Sequence, residues 1–137
     1  FSYMRWPLSW SKVSKNIVKF QTETPDNVRL NFNCCVVPIN SIYMDEVTEW
    51  LESNVVGKRH WGINFIKGEG VLDLAYTPLD LREKIIKKLG NEHVISNYLK
   101  EIPILDHKPM IKHLDYWDSI RQLNWRQTFS LTSEYFS

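Results

Sequence analysis

The chain has 137 residues, of which 43% are hydrophobic and 24% are charged, which suits one ordinary globular domain and not two. Its formal net charge of +1 provides no general attraction to nucleic acid or to anionic membranes, and no apolar run has the length of a membrane span. We therefore expect neither nucleic acid nor a membrane as partner. The two cysteines, Cys34 and Cys35, are adjacent and form no disulfide framework, so we expect a cytoplasmic location.

The amino-terminal stretch is rich in aromatic side chains, with Tyr3, Trp6 and Trp10 following Phe1. A natural amino terminus is usually polar and loosely held. We therefore expect the chain to be the carboxy-terminal part of a larger protein.

An amphipathic helix is predicted over residues 8–20. Trp10, Val13, Ile17 and Phe20 recur at spacings of three and four, and lysines lie between them. We expect these lysines to form the solvated face, since a run of charges on a helix is usually its water-facing side. The alternative is a patch that contacts phosphate groups.

Residues 28–66 read as a strand, a helix and a second strand, and the other elements are arranged around them. An alternation of apolar and semi-polar positions predicts a strand over 28–37, whose apolar face holds Leu30, Phe32, Cys34 and Val36. Apolar residues then recur at helical spacing over 44–55, and WGINFI at 61–66 is a second short strand. One intervening helix implies that the two strands are parallel and are joined by a right-handed crossover.

The chain after the second strand is mainly helical. Residues 71–78 are predicted to form a third short strand or an ordered loop. Thr77 is predicted to cap the next helix, which begins at Pro78 and is closed by Gly90.

Two further helices are predicted, over residues 92–102 and from Pro109 to about Leu123. The first of them is expected to turn Val94, Ile95, Tyr98 and Leu99 inward. On the second, Asp118 and Arg121 stand three positions apart, so they can form an ion pair. The tail that follows is aromatic and has no clear period.

Three asparagines stand where parallel α/β folds place their ligands. Asn33 and Asn64 lie inside the two strands, and Asn40 lies in the turn after the first strand. They are candidate binding residues. The alternative is structural: Asn33 and Asn64 bond to neighbouring backbone groups, and Asn40 or Ser41 caps the helix that follows.

No residue pattern in the sequence names a reaction. The four histidines show no spacing that places two of them on one helical face, so no metal site is predicted. Cys34 and Cys35 point to opposite faces of a strand and cannot chelate one metal ion as a CxxC motif does. No pair of carboxylates stands out for acid–base catalysis.

Four stretches carry a family resemblance. They are YMRWPLSWSKVSKNIVKF, VRLNFNCCVVPINSIYMDEVTEWLESN, INFI with LDLAYTPLDLREKIIKKL, and LDYWDSIRQLNWRQTF. In this order they resemble the helix before the fifth barrel strand, the fifth strand with its helix, the sixth strand with its loop and helix, and the closing helix of radical S-adenosylmethionine proteins of the twitch-domain-containing type. The asparagines at Asn33 and Asn40 and the step from Asp118 to Arg121 are similar to positions of that group.

The resemblance implies an α/β fold, namely the carboxy-terminal portion of a partial (β/α)6 TIM-like barrel with two or three parallel strands and covering helices. It implies a single domain over residues 1–137, with barrel strands and helices in 1–76 and a helical part in 77–137. The positions that it implies for the wall of the S-adenosylmethionine and substrate cavity are Asn33, Cys35, Asn40 and Asn64.

The resemblance also implies a [4Fe–4S] cluster in the full-length protein. Its CxxxCxxC ligand motif is missing from this chain, which therefore should not cleave the cofactor by itself. The implied partners are the amino-terminal half of the barrel, or another chain that supplies it, and a small-molecule or peptide substrate. The alternative is a non-enzymatic interaction module that binds a partner through exposed strand edges or the aromatic tail.

Overall fold

The computed structural model of the chain describes residues 2–5, 7–25, 27–29, 31–55, 60–68 and 70–136, so Phe1, Trp6 and Leu30 lie outside the described residues. Within these ranges the chain forms seven α-helices, two β-strands and two short 3-10 helices. They are α1 (Trp10–Glu23), β1 (Asn31–Val36), a 3-10 helix (Ser41–Tyr43), α2 (Met44–Asn54), β2 (His60–Phe65), a 3-10 helix (Leu74–Tyr76), α3 (Leu79–Leu89), α4 (Val94–Glu101), α5 (Lys108–Arg121), α6 (Trp125–Thr128) and α7 (Ser130–Ser133).

β1 and β2 pair with each other in one parallel sheet, and α2 is the helix between them in the chain. This confirms the predicted α/β class and the predicted strand–helix–strand unit. β1 alternates between exposed and half-buried positions as the sequence period requires.

Residues 71–78 form an ordered loop, so the alternative of a third strand is wrong for this segment. Asp73 starts a 3-10 helix here, because its carboxylate accepts hydrogen bonds from the backbone N–H of Ala75 at 2.8 Å and of Gly68 at 2.6 Å. These two bonds fold the segment back on itself and keep it from extending alongside β2.

The chain divides into two compact units, and the divisions fall inside β1, α2 and β2. The first unit comprises Phe1–Cys34 and Glu46–Asn64, and the second comprises Cys35–Asp45 and Phe65–Ser137. A single domain over residues 1–137, with barrel elements up to residue 76 and helices beyond it, stays a prediction.

In the first unit, α1 contacts the later part of α2 at two points. The rings of Trp10 and Trp50 meet edge to face with centroids 4.8 Å apart. At the other end of α1, the buried side chain of Gln21 donates a hydrogen bond from Nε2 to the carbonyl of Asn54 at 2.5 Å. The last carbonyls of a helix have no partner within that helix, and this bond supplies one to α2. It therefore connects the C-terminal ends of α1 and α2.

In the second unit, α3 and α4 pack against each other, and the tail is part of the core. The largest fully buried side chains of this unit are Ile39, Ile42, Met44, Leu74, Leu81, Ile85, Ile95, Leu99, Met110, Leu114, Val36 and Trp125. Residues 39–43 are held from two sides. Lys88 donates to the carbonyl of Ile42 at 2.9 Å, and the hydroxyl of Tyr43 accepts a hydrogen bond from the N–H of Leu131 at 3.0 Å.

The start of α3 differs from the prediction in its cap. Pro78 occupies the N-cap position, so Thr77 stands one residue too early to cap the first turn. The Thr77 hydroxyl is fully buried and has no hydrogen-bond partner among the described residues. Gly90 closes the helix as predicted, with φ of 90° and ψ of 157°, a region that is essentially restricted to glycine.

One further prediction about side-chain placement needs correction. Val94, predicted to face inward, is 49% exposed because α4 begins only at this residue, whereas Ile95 and Leu99 are buried as predicted. In the tail, the aromatic side chains of Trp125, Phe129 and Phe136 are buried. Among the described residues, no helix combines the length and the apolar character that crossing a membrane requires.

Candidate functional site

In the first unit, one face of the sheet carries mainly hydrogen-bonding side chains. A methyl group at Gly62 would lie 3.9 Å from Oδ1 of Asn33, so these two residues share a face. Because side chains alternate along each strand, Asn64 also lies on this face. The remaining exposed members are Asn31 and His60. We call this surface the amide face.

The opposite face of the same sheet is less polar and less exposed. Its members Phe32, Cys34, Trp61 and Ile63 are all half-buried. Parallel sheets usually have both faces covered, so the open amide face departs from that pattern, whereas the partly covered apolar face follows it.

Asn33 and Asn64 project into solvent from the amide face. The residues are exposed, and neither side chain makes a hydrogen bond with another described residue. The structural alternative from the sequence, in which these two amides bond to neighbouring backbone, therefore does not describe them. Their amide groups retain both donor and acceptor capacity for a ligand.

Asn40, in the second unit, is a structural residue. Its Oδ1 accepts a hydrogen bond from the N–H of Val37 at 2.8 Å, and its Nδ2 donates to the carbonyl of Cys35 at 3.1 Å. It does not cap a helix through its side chain, and Ser41 instead donates to the carbonyl of Pro38 at 2.9 Å. The amide of Asn40 thus shapes the turn at the end of β1.

Cys35 is an exposed free thiol, and Cys34 is a half-buried one. Only the backbone of Cys35 takes part in a bond to Asn40. Of the four predicted cavity positions, Asn33 and Asn64 therefore belong to the amide face of the first unit, and Cys35 and Asn40 belong to the strand end in the second unit.

A stack of side chains begins at the last residue of β2, in the second unit, and no sequence period marked it. The ring of Phe65 lies parallel to that of Tyr98 on α4, with centroids 4.2 Å apart and an interplanar angle of 8°. The ammonium group of Lys67 lies 5.0 Å from the centre of the Tyr98 ring. Burial raises the pKa of the Tyr98 hydroxyl, and the carboxylate of Asp73 adds to that effect.

Arg82 on α3 is a second feature that the sequence analysis missed. The residue is buried, and its guanidinium group makes five hydrogen bonds, all to backbone carbonyls. The acceptors are Thr77 at 3.0 Å, Leu99 at 2.8 Å, Ile102 at 2.9 Å, Ala75 at 3.2 Å and Pro103 at 2.6 Å. Burial lowers the pKa of Arg82, and the charge of Asp73 opposes this.

This set of bonds explains why a charge is stable inside the second unit. The five N–H groups of a guanidinium are all used, so no donor is left unsatisfied. Leu99 and Ile102 lie at the end of α4, where carbonyl groups lack intrahelical partners and carry the negative end of the helix dipole. One feature of the sequence could have indicated that Arg82 is buried. It lies three residues before the buried Ile85, within the apolar stripe of α3.

Within the second unit, the carboxylate of Asp115 on α5 binds the first residues of the tail. It pairs with the guanidinium of Arg126 and accepts a hydrogen bond from Nε1 of the buried Trp125 at 2.8 Å. The hydrogen bond from Arg126 is the main reason why the pKa of Asp115 is lowered. Burial opposes it, and the bond from Trp125 supports it.

Asp118 accepts a hydrogen bond from the N–H of Trp125 at 2.8 Å, and its ion pair with Arg121 stays a prediction. The guanidinium of Arg121 lies over the ring of Trp117, 4.6 Å from its centre. Stacking on an indole uses the flat face of the guanidinium, which a simple ion-pair pattern does not predict.

The described residues contain no group of three or more His, Cys, Asp or Glu side chains placed to hold a metal ion. Comparison of the chain with models of protein families, with curated proteins and with solved structures finds no match in any of the three.

Proposed function

We propose that the chain is the carboxy-terminal part of a radical S-adenosylmethionine enzyme, where β1 and β2 are the last two strands of a partial (β/α)6 barrel. The amide face would then be part of the wall of the cavity for S-adenosylmethionine and substrate. The observation that carries this proposal is the pair of exposed asparagines, Asn33 and Asn64, on one face of a parallel strand–helix–strand unit. The sequence resemblance supplies the enzyme class, and a cytoplasmic location is part of the same proposal.

The chain does not fit the iron–sulfur cluster of that family. Such a cluster requires three thiolates, and the two cysteines of this chain lie next to each other on one strand. The cluster ligands would have to come from the missing half of the barrel. The role left to this chain is to position cofactor and substrate through neutral hydrogen-bonding side chains.

The first test uses the full-length protein. Anaerobic reconstitution with iron and sulfide should give the broad visible absorbance of a [4Fe–4S] cluster, and a CxxxCxxC motif should be found in the part of the protein that precedes these residues. A complete protein without that motif, and without cluster absorbance after reconstitution, would contradict the proposal.

Asn33→Ala and Asn64→Ala test the amide face directly. Each variant should weaken the binding of S-adenosylhomocysteine to the full-length protein by about fivefold to tenfold, because one hydrogen bond to the ligand contributes about 1 kcal/mol. Isothermal titration calorimetry measures the affinity. Asn16→Ala, an exposed asparagine on α1, is the matched control and should leave it unchanged. Equal affinity of all three variants and the wild type would exclude the amide face as a binding surface.

Asn40→Ala should act on stability instead. The variant loses the bonds to Val37 and Cys35, so we expect the free energy of unfolding to fall by about 1–2 kcal/mol. Urea denaturation followed by circular dichroism measures this quantity. Asn33→Ala and Asn64→Ala should stay within about 0.5 kcal/mol of the wild type, as exposed substitutions usually do.

A second candidate is an interaction module, and the composition of the strands favours it. Neither β1 nor β2 contains Lys, Arg, Asp, Glu or Pro, the residues that commonly protect an open strand edge. In the part of the chain that the structure describes, each strand pairs on one side only. Trp125, Phe129 and Phe136 are buried, so in this candidate the partner would bind at the strand edges. A complete protein that lacks the cluster motif would favour this candidate.

A further inference from the structure

His93 holds the start of α4 through a hydrogen bond that only the neutral imidazole can accept. It occupies the N-cap position, and its Nδ1 accepts a hydrogen bond from the N–H of Ile95 at 3.2 Å. The lone pair on Nδ1 exists only when that nitrogen carries no proton, so the proton of the neutral ring lies on Nε2. Histidine thus takes the place that Ser, Thr, Asp or Asn usually fills.

Protonation of His93 would act on this helix end in two ways. It would remove the acceptor for the Ile95 N–H, and it would place a positive charge at the positive end of the helix dipole. Burial lowers the pKa of His93, and the charge of Asp45 works in the opposite direction.

The charged groups around His93 do not replace the lost bond. Asp45, at the beginning of α2, is the carboxylate that acts on the imidazole, and it already pairs with Lys88 of α3 at 2.9 Å. Glu92 precedes His93 in the chain, and its backbone carbonyl accepts a bond from Asn97. A protonated imidazole would therefore share the carboxylate of Asp45 with Lys88.

The other end of α4 is held by a group that does not titrate in this range. Arg82 binds the carbonyls of Leu99 and Ile102 and stays charged at all physiological pH values. Acid therefore acts on the first turn alone. Tyr98, which stacks on Phe65 at the end of β2, follows that turn directly.

We propose that His93 is an acid-sensitive cap: the first turn of α4 is closed when the imidazole is neutral and opens when it is protonated. The inference is independent of the proposed enzymatic role. It concerns a conformational device that any function of the second unit would feel through Tyr98.

Amide hydrogen exchange tests the proposal. After correction for intrinsic exchange rates, the N–H groups of Ile95 and Asn97 should exchange about tenfold faster at about pH 5.5 than at about pH 7.5, because a lost cap destabilises a helix end by roughly this factor. In His93→Asn, a cap without a titrating group, the corrected rates at the two pH values should be equal. Equal rates in the wild type, or an unchanged pH effect in His93→Asn, would overturn the proposal.

A second measurement applies even if the variant folds poorly. The nitrogen chemical shifts of the wild-type His93 ring at neutral pH should report a proton on Nε2, and a proton on Nδ1 would contradict the cap. His107→Asn is the matched control, because His107 precedes α5 without a side-chain cap bond. That variant should leave the exchange of the α4 amides as it is in the wild type.

Discussion

Arg82 combines two properties that are rarely found together, a permanent charge and nearly complete burial. Its five bonds reach carbonyls from residues 75–77 and 99–103, so one side chain joins the segment before α3 to the end of α4. The partners are dipoles and not a carboxylate. Charge-assisted bonds to several carbonyls offset the cost of removing the guanidinium from water.

Arg82→Lys should destabilise the protein by about 3 kcal/mol. Lysine keeps the charge but has three donors for five carbonyls, and each buried carbonyl left without a partner costs about 1–3 kcal/mol. The carbonyl of Ala75 keeps a bond from the N–H of Leu105 at 2.8 Å, so the loss concerns the other four. Urea denaturation measures the change, with the exposed Arg29→Lys as control, for which we expect less than about 0.5 kcal/mol. A loss below about 1 kcal/mol for Arg82→Lys would mean that water or movement of the chain replaces the missing donors.

At the scale of elements, the sequence predicted most of the regular structure because periods of two and 3.6 residues depend only on which side of an element is buried. The strand pair, α2 and the helices from α3 to α5 are confirmed within a few residues. The cap of α3 and the buried face of α4 were predicted less well. A start one residue later moves Thr77 out of the cap position, and a start at Val94 leaves that residue exposed.

Two glycines test the assigned backbone conformations. Gly90 ends α3, and Gly62 lies inside β2. Gly90→Ala should lower the free energy of unfolding by about 1–3 kcal/mol, because φ of 90° with ψ of 157° is strained for any residue with a Cβ. Gly62→Ala should leave it unchanged or raise it by up to about 1 kcal/mol, since among the described residues the added methyl meets only Asn33, at 3.9 Å. Thermal or urea unfolding of both variants checks this, and the reverse order would contradict the assigned helix end.

The candidate site was less predictable than the fold. Asn33, Asn40 and Asn64 look alike in the sequence, yet only Asn40 bonds to nearby backbone. That difference depends on which carbonyl and N–H groups the turn after β1 brings within reach, and a period carries no such information. Arg82 was missed for a related reason, since its carbonyl partners on α4 lie 17 or more positions away.

At the scale of the whole molecule, stability should depend on pH in two separate ranges. The pKa of His93 is lowered in the folded protein, so its contribution is complete above the ordinary histidine pKa of about 6.5 and is lost as the pH falls through the lower folded value. The pKa of Asp115 is lowered too. Its contribution is complete above the ordinary carboxyl pKa of about 4 and is lost at still lower pH.

Asp115→Asn separates the second range from the first. The difference in unfolding free energy between wild type and variant should shrink as the pH falls from about 5 to about 3, because the wild-type carboxylate then loses its pairing with Arg126. The effect should be small, since both side chains of the pair are nearly half exposed. Urea denaturation at a series of pH values measures it, with Glu52→Gln as the control for losing a surface charge. A constant difference across this range would contradict the assigned role of Asp115.

The tail of the second unit meets parts of the chain that are very distant in sequence. Leu131 bonds to Tyr43 across 88 positions, and Thr132 bonds to Ile39 across 93. Closing loops of this size costs more chain entropy than forming the hairpin of α3 and α4. We therefore expect the tail to dock late on the folding pathway, after the helices have supplied a surface that can hold it. During synthesis, Ile39 and Tyr43 would lack these two contacts until Leu131 and Thr132 have left the ribosome.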